Sequence, residues 1–296
     1  MKRIVTMQDL SCTGKCSLTV ALPILSAMGI ETAVLPTAVL SGHLGFKDPA
    51  VTDLTDRIPA ILDAWAREGM TFNAICSGYL ASWRQVDIVR ELYRSFGTKG
   101  ALHFVDPAMA DGGRLYRGVP DSFVDAMRQL CAGADVSMPN ITEACLLTGM
   151  QYRENADEEY CADLAKRLAA QGSHRVIITG FSSSEGSIGA VSYDRETEEL
   201  SVYENKRMPA SFTGTGDIFA AVTEGAVMRG YTLGEAVHLA VDFTMLCVEK
   251  TLADEHHRWY GVNFELALPS LIHWLEGRGP EGESTRNRGN VSDRRE

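Results

Sequence analysis

The segment TGTGDIFA at residues 213–220 places two glycines, a threonine and an acid at the start of a predicted helix. The first N–H groups of a helix have no partner within it and lie at the positive end of its dipole, so they attract anions such as phosphate. Asp217 adds a carboxylate that could take the proton from a hydroxyl group attacking a phosphoryl group. The alternative is an ordinary helix start with an acid in its first turn, and the motif alone does not decide between them.

The rest of the chain alternates short apolar runs with segments of helical periodicity. Strands are predicted at residues 4–7, 32–35, 38–40, 74–76, 102–105, 136–138 and 176–179, and a hairpin at 189–193 and 200–203. Helices are predicted at residues 14–28, 54–67, 86–96, 119–131, 144–148, 156–171, 217–229, 233–249 and 264–275. Strands separated by helices predict an α/β fold whose central, mostly parallel sheet has helices on both faces.

Polar residues follow several of these strands. Asp106, Asn140 and Thr179 lie at or just beyond the ends of predicted strands. Asp217 lies in the turn that follows another predicted strand. Ligands of such sheets bind at the carboxyl ends of the strands, so these residues are a second argument for an active site. Taken singly, Asp106 suits a turn before its proline, and Asn140 with Glu143 suits a helix cap with a capping-box acid.

Length, charge and composition limit the classes of partner. The chain has 296 residues, 28 Lys and Arg against 39 Asp and Glu, and a formal net charge of −11. This charge argues against a nucleic acid or an anionic membrane as the main partner. The first residues lack a signal-peptide apolar region and no run is long enough to span a bilayer, so a cytoplasmic location is expected. Residues 277–296 contain one aliphatic residue, which predicts a disordered tail after a domain at 1–276.

The segment after the first strand contains two patterns that are similar to known binding motifs. Cys12 and Cys16 lie four residues apart, but no second pair or nearby histidine completes a zinc site. The run TGKCS is similar to the end of a phosphate-binding P-loop. That motif needs a glycine where Asp9 stands and a Ser or Thr directly after Lys15, where Cys16 stands. We therefore reject the P-loop, and the seven scattered cysteines are expected to be reduced thiols.

Several motifs in order resemble the ribokinase-like superfamily. They are DPAMAD at residues 106–111, PNITEA at 139–144, ITG at 178–180 and GTGDIFAA at 214–221. Four further motifs resemble the pyridoxal/pyridoxamine kinases within it: QDLS at 8–11, TAVLSGHLGF at 37–46, SGYLAS at 77–82 and RWYGVNFE at 258–265. The resemblance covers about residues 2 to 275 and implies a ribokinase-like fold.

The implied activity is transfer of the γ-phosphoryl group of ATP to the 5′-hydroxyl of pyridoxal, pyridoxine or pyridoxamine, in vitamin B6 salvage. Asp217 would be the general base, which helps because an alcohol is a poor nucleophile. The backbone amides of Gly214, Thr215 and Gly216 would stabilise charge on the transferred phosphoryl oxygens.

The resemblance also implies contacts for the nucleotide and the metal. The predicted ATP contacts are Asn140, Thr179, Ser182 and Thr213. The predicted Mg²⁺ residues are Asp106, Asp111 and Glu143, acting in part through waters, since Mg²⁺ takes few carboxylates and keeps several waters. A requirement for a monovalent cation stays open.

The predicted residues facing the pyridine ring are Asp9, Ser11, His43 and Tyr79. The ring-contacting loop departs from the family pattern, because the family usually has Thr or Asn where Gly42 stands and a polar residue where Leu44 stands. The segment after Gly45 is also shortened. These departures put the vitamer preference in doubt and leave the phosphoryl-transfer residues untouched.

Two other functions compete with the pyridoxal kinase interpretation. A hydroxymethylpyrimidine kinase shares the GTGD motif and a hydroxymethyl acceptor, although the QDLS and SGYLAS motifs favour the pyridoxal side. A non-catalytic B6-binding homologue would belong to a different class, and the retained Asp217 and Glu143 argue against it. Members of the resembled family are commonly homodimers, so a homodimer is expected.

Overall fold

The computed structural model describes residues 1–276, and the predicted tail at 277–296 lies outside the described residues. The strands are β1 (Arg3–Ser11), β2 (Glu31–Leu40), β3 (Val51–Asp53), β4 (Phe72–Ser77), β5 (Gly97–Val105), β6 (Ala110–Asp111), β7 (Arg114–Leu115), β8 (Val136–Ser137), β9 (Arg175–Phe181), β10 (Ser187–Asp194) and β11 (Glu199–Lys206). The helices are α1 (Leu18–Ala27), α2 (Ile58–Arg67), α3 (Trp83–Phe96), α4 (Ser122–Cys131), α5 (Ile141–Thr148), α6 (Glu158–Gln171), α7 (Thr215–Met228), α8 (Leu233–Leu252) and α9 (Leu268–Glu276).

Nine strands form one sheet in the order β11-β10-β9-β8-β5-β4-β1-β2-β3. The six strands from β9 to β2 are parallel to one another, while β3, β10 and β11 are antiparallel additions at the two edges. Each face of the sheet is covered by its own apolar cluster, with α2 to α6 on one face and α1, α7, α8 and α9 on the other. Along β1, Val5 and Met7 join the first cluster and Ile4 the second, as strand alternation requires. The predicted fold class is confirmed.

Two local predictions were wrong. The strands predicted at 32–35 and 38–40 are one strand, β2, which continues through Pro36. Its register against β1 shifts just after Pro36, since proline has no N–H to give to the ladder. The helix predicted at 14–28 begins only at Leu18. Residues before it form a loop in which Lys15 and Ser17 have φ of 49° and 50°, a conformation incompatible with a right-handed helix.

Smaller differences concern short elements. The helix predicted at 264–275 is divided into a 3-10 turn, Phe264–Leu266, and α9. Strand β3 and the small β6–β7 hairpin were not predicted. Within residues 1–276, no helix combines the length and apolarity needed to cross a membrane. The seven cysteines, all inside this range, are free thiols.

Candidate active site

The N-terminus of α7 lies at the carboxyl edge of the sheet and is shaped by glycine. Gly214 is its N-cap, with φ of 89°. A Cβ on Gly214 would lie 2.1 Å from the backbone oxygen of Lys15, so only glycine fits there. A Cβ on Gly216 would meet no described atom within 4 Å apart from its chain neighbours and the backbone of its own helix. The space over Gly216 therefore lets a ligand approach the first N–H groups of the helix, where an anion is favoured.

Asp217 follows in the first turn of α7, half-buried in the cleft. Its carboxylate accepts a hydrogen bond from the backbone N–H of Ser17, and the charge of Asp9 lies nearby. Burial is the main cause that raises the pKa of Asp217 to about 7, with Asp9 adding to the rise and the Ser17 N–H opposing it. A general base works best with a pKa near the operating pH, so this carboxyl suits proton abstraction.

Ser17 is a site residue that the sequence analysis missed. Besides its bond to Asp217, its Oγ donates to Asp9 Oδ1 at 2.6 Å. Ser11 Oγ donates to the other oxygen, Asp9 Oδ2, at 2.8 Å. Both predicted ring contacts, Asp9 and Ser11, are thus buried members of one network that also holds the base. The ordinary signal for a residue like Ser17, a Ser directly before a helix, gives no hint of a link to Asp217.

Asp106 lies just beyond β5, and its backbone N–H donates to Ser77 O at 2.9 Å. Its carboxyl is half-buried, and burial followed by the charge of Asp217 raises its pKa to about 8. The structure therefore brings these two predicted residues together. Asp111 stands apart from them on β6, exposed, with its Oδ1 accepting the N–H of Gly112 at 2.8 Å.

Asn140 and Glu143 form the capping box of α5, so that interpretation of the pair is confirmed. Glu143 N donates to Asn140 Oδ1 at 3.0 Å, and Asn140 N donates to Glu143 Oε2 at 2.9 Å. Glu143 Oε1 also accepts the N–H groups of Met109 and Ala110, at 3.0 and 3.3 Å. The buried Glu143 carboxylate therefore fixes the segment that carries Asp106 against the start of α5.

These acids do not form a closed metal cage. Within residues 1–276, no group of three or more His, Cys, Asp or Glu side chains lies close enough to hold a metal ion. Asp106 offers a hard, cleft-facing carboxylate oxygen, which suits a Mg²⁺ ion that takes its other ligands from phosphates and water. Glu143 and Asp111 as metal residues remain predictions.

The predicted nucleotide contacts lie at the same edge of the sheet. Asn140 and Thr179 form a parallel bridge beyond β8, in which Thr179 N donates to Pro139 O at 3.0 Å. Thr213 is exposed directly before Gly214. Ser182 Oγ donates to Ser187 O at 3.0 Å, so this hydroxyl holds the loop between β9 and β10 together. The nucleotide roles of these residues stay predictions.

His43 is engaged on both sides of its ring. Gly45 N donates to its Nδ1 at 3.0 Å, so Nε2 carries the hydrogen and donates to Tyr260 O at 3.0 Å. The ring packs edge-on against Phe46 and Trp259 at centroid distances of 4.9 and 5.9 Å. Both nitrogens therefore hold the loop closed, which favours a structural role over the predicted contact with a pyridine ring.

The same loop explains one departure from the family pattern. A Cβ on Gly42 would lie 2.9 Å from the ring of Phe46, which fills the place of a larger side chain. Leu44 is 50% exposed, so its apolar side chain reaches the protein surface. Tyr79, the fourth predicted ring contact, is half-buried after β4, where burial first, then Asp9 and Asp53, raise the pKa of its phenol.

A second missed residue is Glu224 on α7, which is 4% exposed. Burial raises the pKa of its carboxyl to about 8, against a hydrogen bond from the Cys76 thiol that lowers it, and the charges of Asp106 and Asp217 add to the rise. A small cavity under the cleft touches Glu224, Asp106 and Asp217 together. Three carboxyl groups therefore line this cavity, and the sequence analysis found two of them, Asp106 and Asp217.

Comparisons with known proteins show which family and which solved structures the chain is similar to. The family model described as phosphomethylpyrimidine kinase matches residues 26–260. A Bacteroides thetaiotaomicron protein assigned as a phosphomethylpyrimidine kinase, crystallised in an orthorhombic form with pyridoxal, is 34% identical with a TM-score of 0.87, covering 91% of this chain and 95% of that one. The crystal structure of pyridoxal kinase from Lactobacillus plantarum is 33% identical with a TM-score of 0.85, covering 93% and 98%. A pyridoxine/pyridoxal/pyridoxamine kinase of Bordetella avium is 28% identical over 281 residues, covering 90% and 89%.

Proposed function

The chain belongs to the phosphomethylpyrimidine kinase family of the ribokinase-like superfamily, and from that premise we propose that it is an ATP-dependent pyridoxal kinase. It transfers the γ-phosphoryl group to the 5′-hydroxyl of pyridoxal, pyridoxine or pyridoxamine. The observation that carries the proposal is Asp217, a carboxyl with a pKa raised to about 7, set beside the open N-terminus of α7.

Asp217 and the N-terminus of α7 have separate roles in the reaction. Asp217 accepts the proton of the 5′-hydroxyl while that oxygen forms a bond to the γ-phosphorus, and the bond from phosphorus to the β–γ bridging oxygen breaks to release ADP. The N–H groups of Gly214, Thr215 and Gly216 stabilise the negative charge of the phosphoryl oxygens. Asp106 would hold Mg²⁺, which neutralises phosphate charge when bound.

The choice of a B6 vitamer as acceptor is supported by relatives. One solved relative at 34% identity was crystallised with pyridoxal and another at 33% identity is a pyridoxal kinase. In this chain Ser11 donates a hydrogen bond to Asp9, and the charge of Asp9 raises the pKa values of both Tyr79 and Asp217. An aromatic side chain and a polar network around Asp9 suit a small hydroxylated ring.

The description of the matching family favours a second candidate, a hydroxymethylpyrimidine kinase. The two functions differ only in the ring, so the phosphoryl-transfer geometry does not separate them. A non-catalytic B6-binding protein is the third candidate, and the pKa of Asp217 argues against it because a binder has no use for a poised base.

A two-substrate assay tests the proposal. The purified chain is given ATP and Mg²⁺ with either pyridoxal or hydroxymethylpyrimidine, and both ADP release and the phosphorylated product are measured. We expect the 5′-phosphate of pyridoxal, with kcat/KM at least about tenfold above that for the pyrimidine. A reversed preference would support the second candidate, and binding of pyridoxal without ADP release would support the third. ATP without acceptor is the control for background hydrolysis.

Three further features of the protein are part of the proposal. We propose a kinase domain at residues 1–276, a cytoplasmic location and a homodimer in solution. Light scattering on the purified chain would give the oligomeric state, and a monomer at micromolar concentration would contradict the dimer.

A further inference from the structure

Glu224 lies seven residues after Asp217 on α7, on the same face of the helix. Buried carboxyl groups are rare unless they have partners. The Cys76 thiol of β4 donates one hydrogen bond to this carboxyl. Within residues 1–276, the buried Oε2 atom of Glu224 has no hydrogen-bond partner. The chain therefore keeps an acid in its core with one oxygen unused by the protein.

Ser77 presents the matching feature on the sheet. It ends β4, is 2% exposed, and its Oγ has no hydrogen-bond partner in the described part of the chain. Both unpaired atoms belong to residues that line one small cavity. The cavity is lined by Gln8, Ala21, Ser77, Gly78, Asp106, Asp217, Ala220, Ala221 and Glu224.

The size and the chemistry of this cavity define what it can hold. It has room for about one water molecule, the smallest volume in which a buried water is found. Carboxylate oxygens from α7 and from the end of β5, with the hydroxyl of Ser77, make it rich in hydrogen-bond acceptors. A water molecule donates two hydrogen bonds and can accept one from Ser77. A multivalent metal ion fits less well, since no three acids within residues 1–276 approach closely enough to bind one.

We propose that this cavity binds one internal water molecule that joins Glu224 and Ser77 to the Asp217 carboxylate, and that Glu224 is thereby a positioning residue for the base. The proposal rests on the kinase function proposed above. Asp217 accepts the Ser17 N–H on one side. A water-mediated contact from below would hold the carboxylate in one orientation toward the cleft, which matters because small displacements of a catalytic group lower the rate strongly.

Residues from β1, β4, the end of β5, α1 and α7 line the cavity. The titratable groups that face Glu224 are Cys76 from β4, Asp106 after β5 and Asp217 on its own helix. Strand β1 contributes Gln8, whose Nε2 donates to Thr6 Oγ1 at 2.7 Å, and α1 contributes Ala21. These cavity neighbours include no Lys or Arg, so a cationic side chain does not take the place of the water.

The kinetic test compares two substitutions at Glu224 with a neighbour on the same turn. Glu224→Met removes the hydrogen-bonding group at similar size, and we expect kcat to fall about tenfold with both KM values within twofold of wild type. Its melting temperature should change little, because the substitution removes the cost of burying a carboxyl and leaves only a weak thiol donor, Cys76, without its acceptor. Glu224→Gln keeps a hydrogen-bonding group of the same length and should retain at least about a third of kcat.

Thr223→Val is the matched control. Thr223 is fully buried, has an unpaired Oγ1 in the described structure and does not line the cavity, so we expect wild-type kcat. The proposal is overturned if Glu224→Met keeps wild-type kcat, or if it loses stability and raises both KM values together. It is also overturned if Glu224→Gln falls as far as Glu224→Met, which would mean that charge rather than hydrogen bonding is needed.

A high-resolution crystal structure of the full chain gives the direct test. We expect one water within hydrogen-bond distance of Glu224 Oε2, Ser77 Oγ and Asp217. Density for a cation, or a shift that pairs Glu224 with Ser77 directly, would overturn the proposal. This result does not depend on turnover, so it distinguishes failure of the water site from failure of the kinase function, which would show as a wild-type chain inactive on every acceptor.

Discussion

Helices α5 and α7 each have an acid in the first turn at the same edge of the sheet, and the two acids differ in their hydrogen bonds. Glu143 on α5 accepts three backbone N–H groups, from Asn140, Met109 and Ala110. Asp217 on α7 accepts one, from Ser17. A carboxylate whose oxygens are taken up by the backbone stabilises local structure, whereas one left with free lone pairs in a cleft can exchange a proton. The number of backbone hydrogen bonds therefore separates the supporting acid, Glu143, from the reacting acid, Asp217.

The largest effect on activity is expected from neutralising the reacting acid, Asp217. Asp217→Asn keeps the shape and removes the base, so kcat should fall about 10²–10⁴-fold while ATP still binds nearly as in the wild type. Turnover under saturating pyridoxal and nucleotide binding by calorimetry would check both parts. A variant with more than half of wild-type kcat would refute the role of Asp217.

The pH dependence tests the same acid without a mutation. Asp217 must be ionised to accept a proton, and its pKa is raised to about 7. We therefore expect kcat/KM to be high above pH 7 and to fall about tenfold per pH unit below it, because only the ionised fraction reacts. A flat profile between pH 5 and pH 7.5 would show that another group, or none, acts as the base.

Removing the supporting acid, Glu143, should mainly lower the stability of the protein. Glu143→Ala leaves three backbone N–H groups without their acceptor, so we expect a loss of at least about 2 kcal/mol in the free energy of unfolding. That corresponds to a melting temperature lower by roughly 3–4 °C or more. Because the segment carrying Asp106 would lose its anchor, the Mg²⁺ concentration needed for half activity should rise more than the KM for the vitamer.

Thermal melts and Mg²⁺ titrations of the Glu143 variant would be read together. An unchanged melting temperature with a raised Mg²⁺ requirement would make Glu143 a metal ligand and end the division between the two acids. An unchanged Mg²⁺ titration with a lowered melting temperature would make it a helix cap alone.

The smallest expected effect lies outside both acids, at Leu44. Leu44→Thr offers a hydroxyl toward the ring, so the KM for pyridoxal should fall about two- to tenfold, with kcat changed less. The effect is limited because Leu44 is half exposed in wild type. Steady-state constants for both proteins decide it, and a KM that is equal or higher in the variant would show that this loop does not contact the ring.

The sequence predicted those parts of the fold and site that depend on local signals. The parallel sheet, the α7 start and the Asn140–Glu143 cap each follow from residues close together in the chain, and the structure has all three. Ser17 and Glu224 were missed because their importance comes from partners on other elements. Glu224 is an acid in an otherwise apolar helix, and its place is explained by the cavity that it lines. Gly42 is explained by the ring of Phe46, which packs against it.

The loop around Lys15 has a consequence for how the protein is made. Its backbone oxygen packs against Gly214, and Lys15 Nζ donates to Asn263 Oδ1 and Glu265 Oε2, both at 2.9 Å, across 248 and 250 positions of the chain. His43 likewise pairs with Tyr260. Contacts of such sequence separation are slow to form because a long loop must close first. During synthesis these contacts cannot form until the ribosome has released the residues near 265.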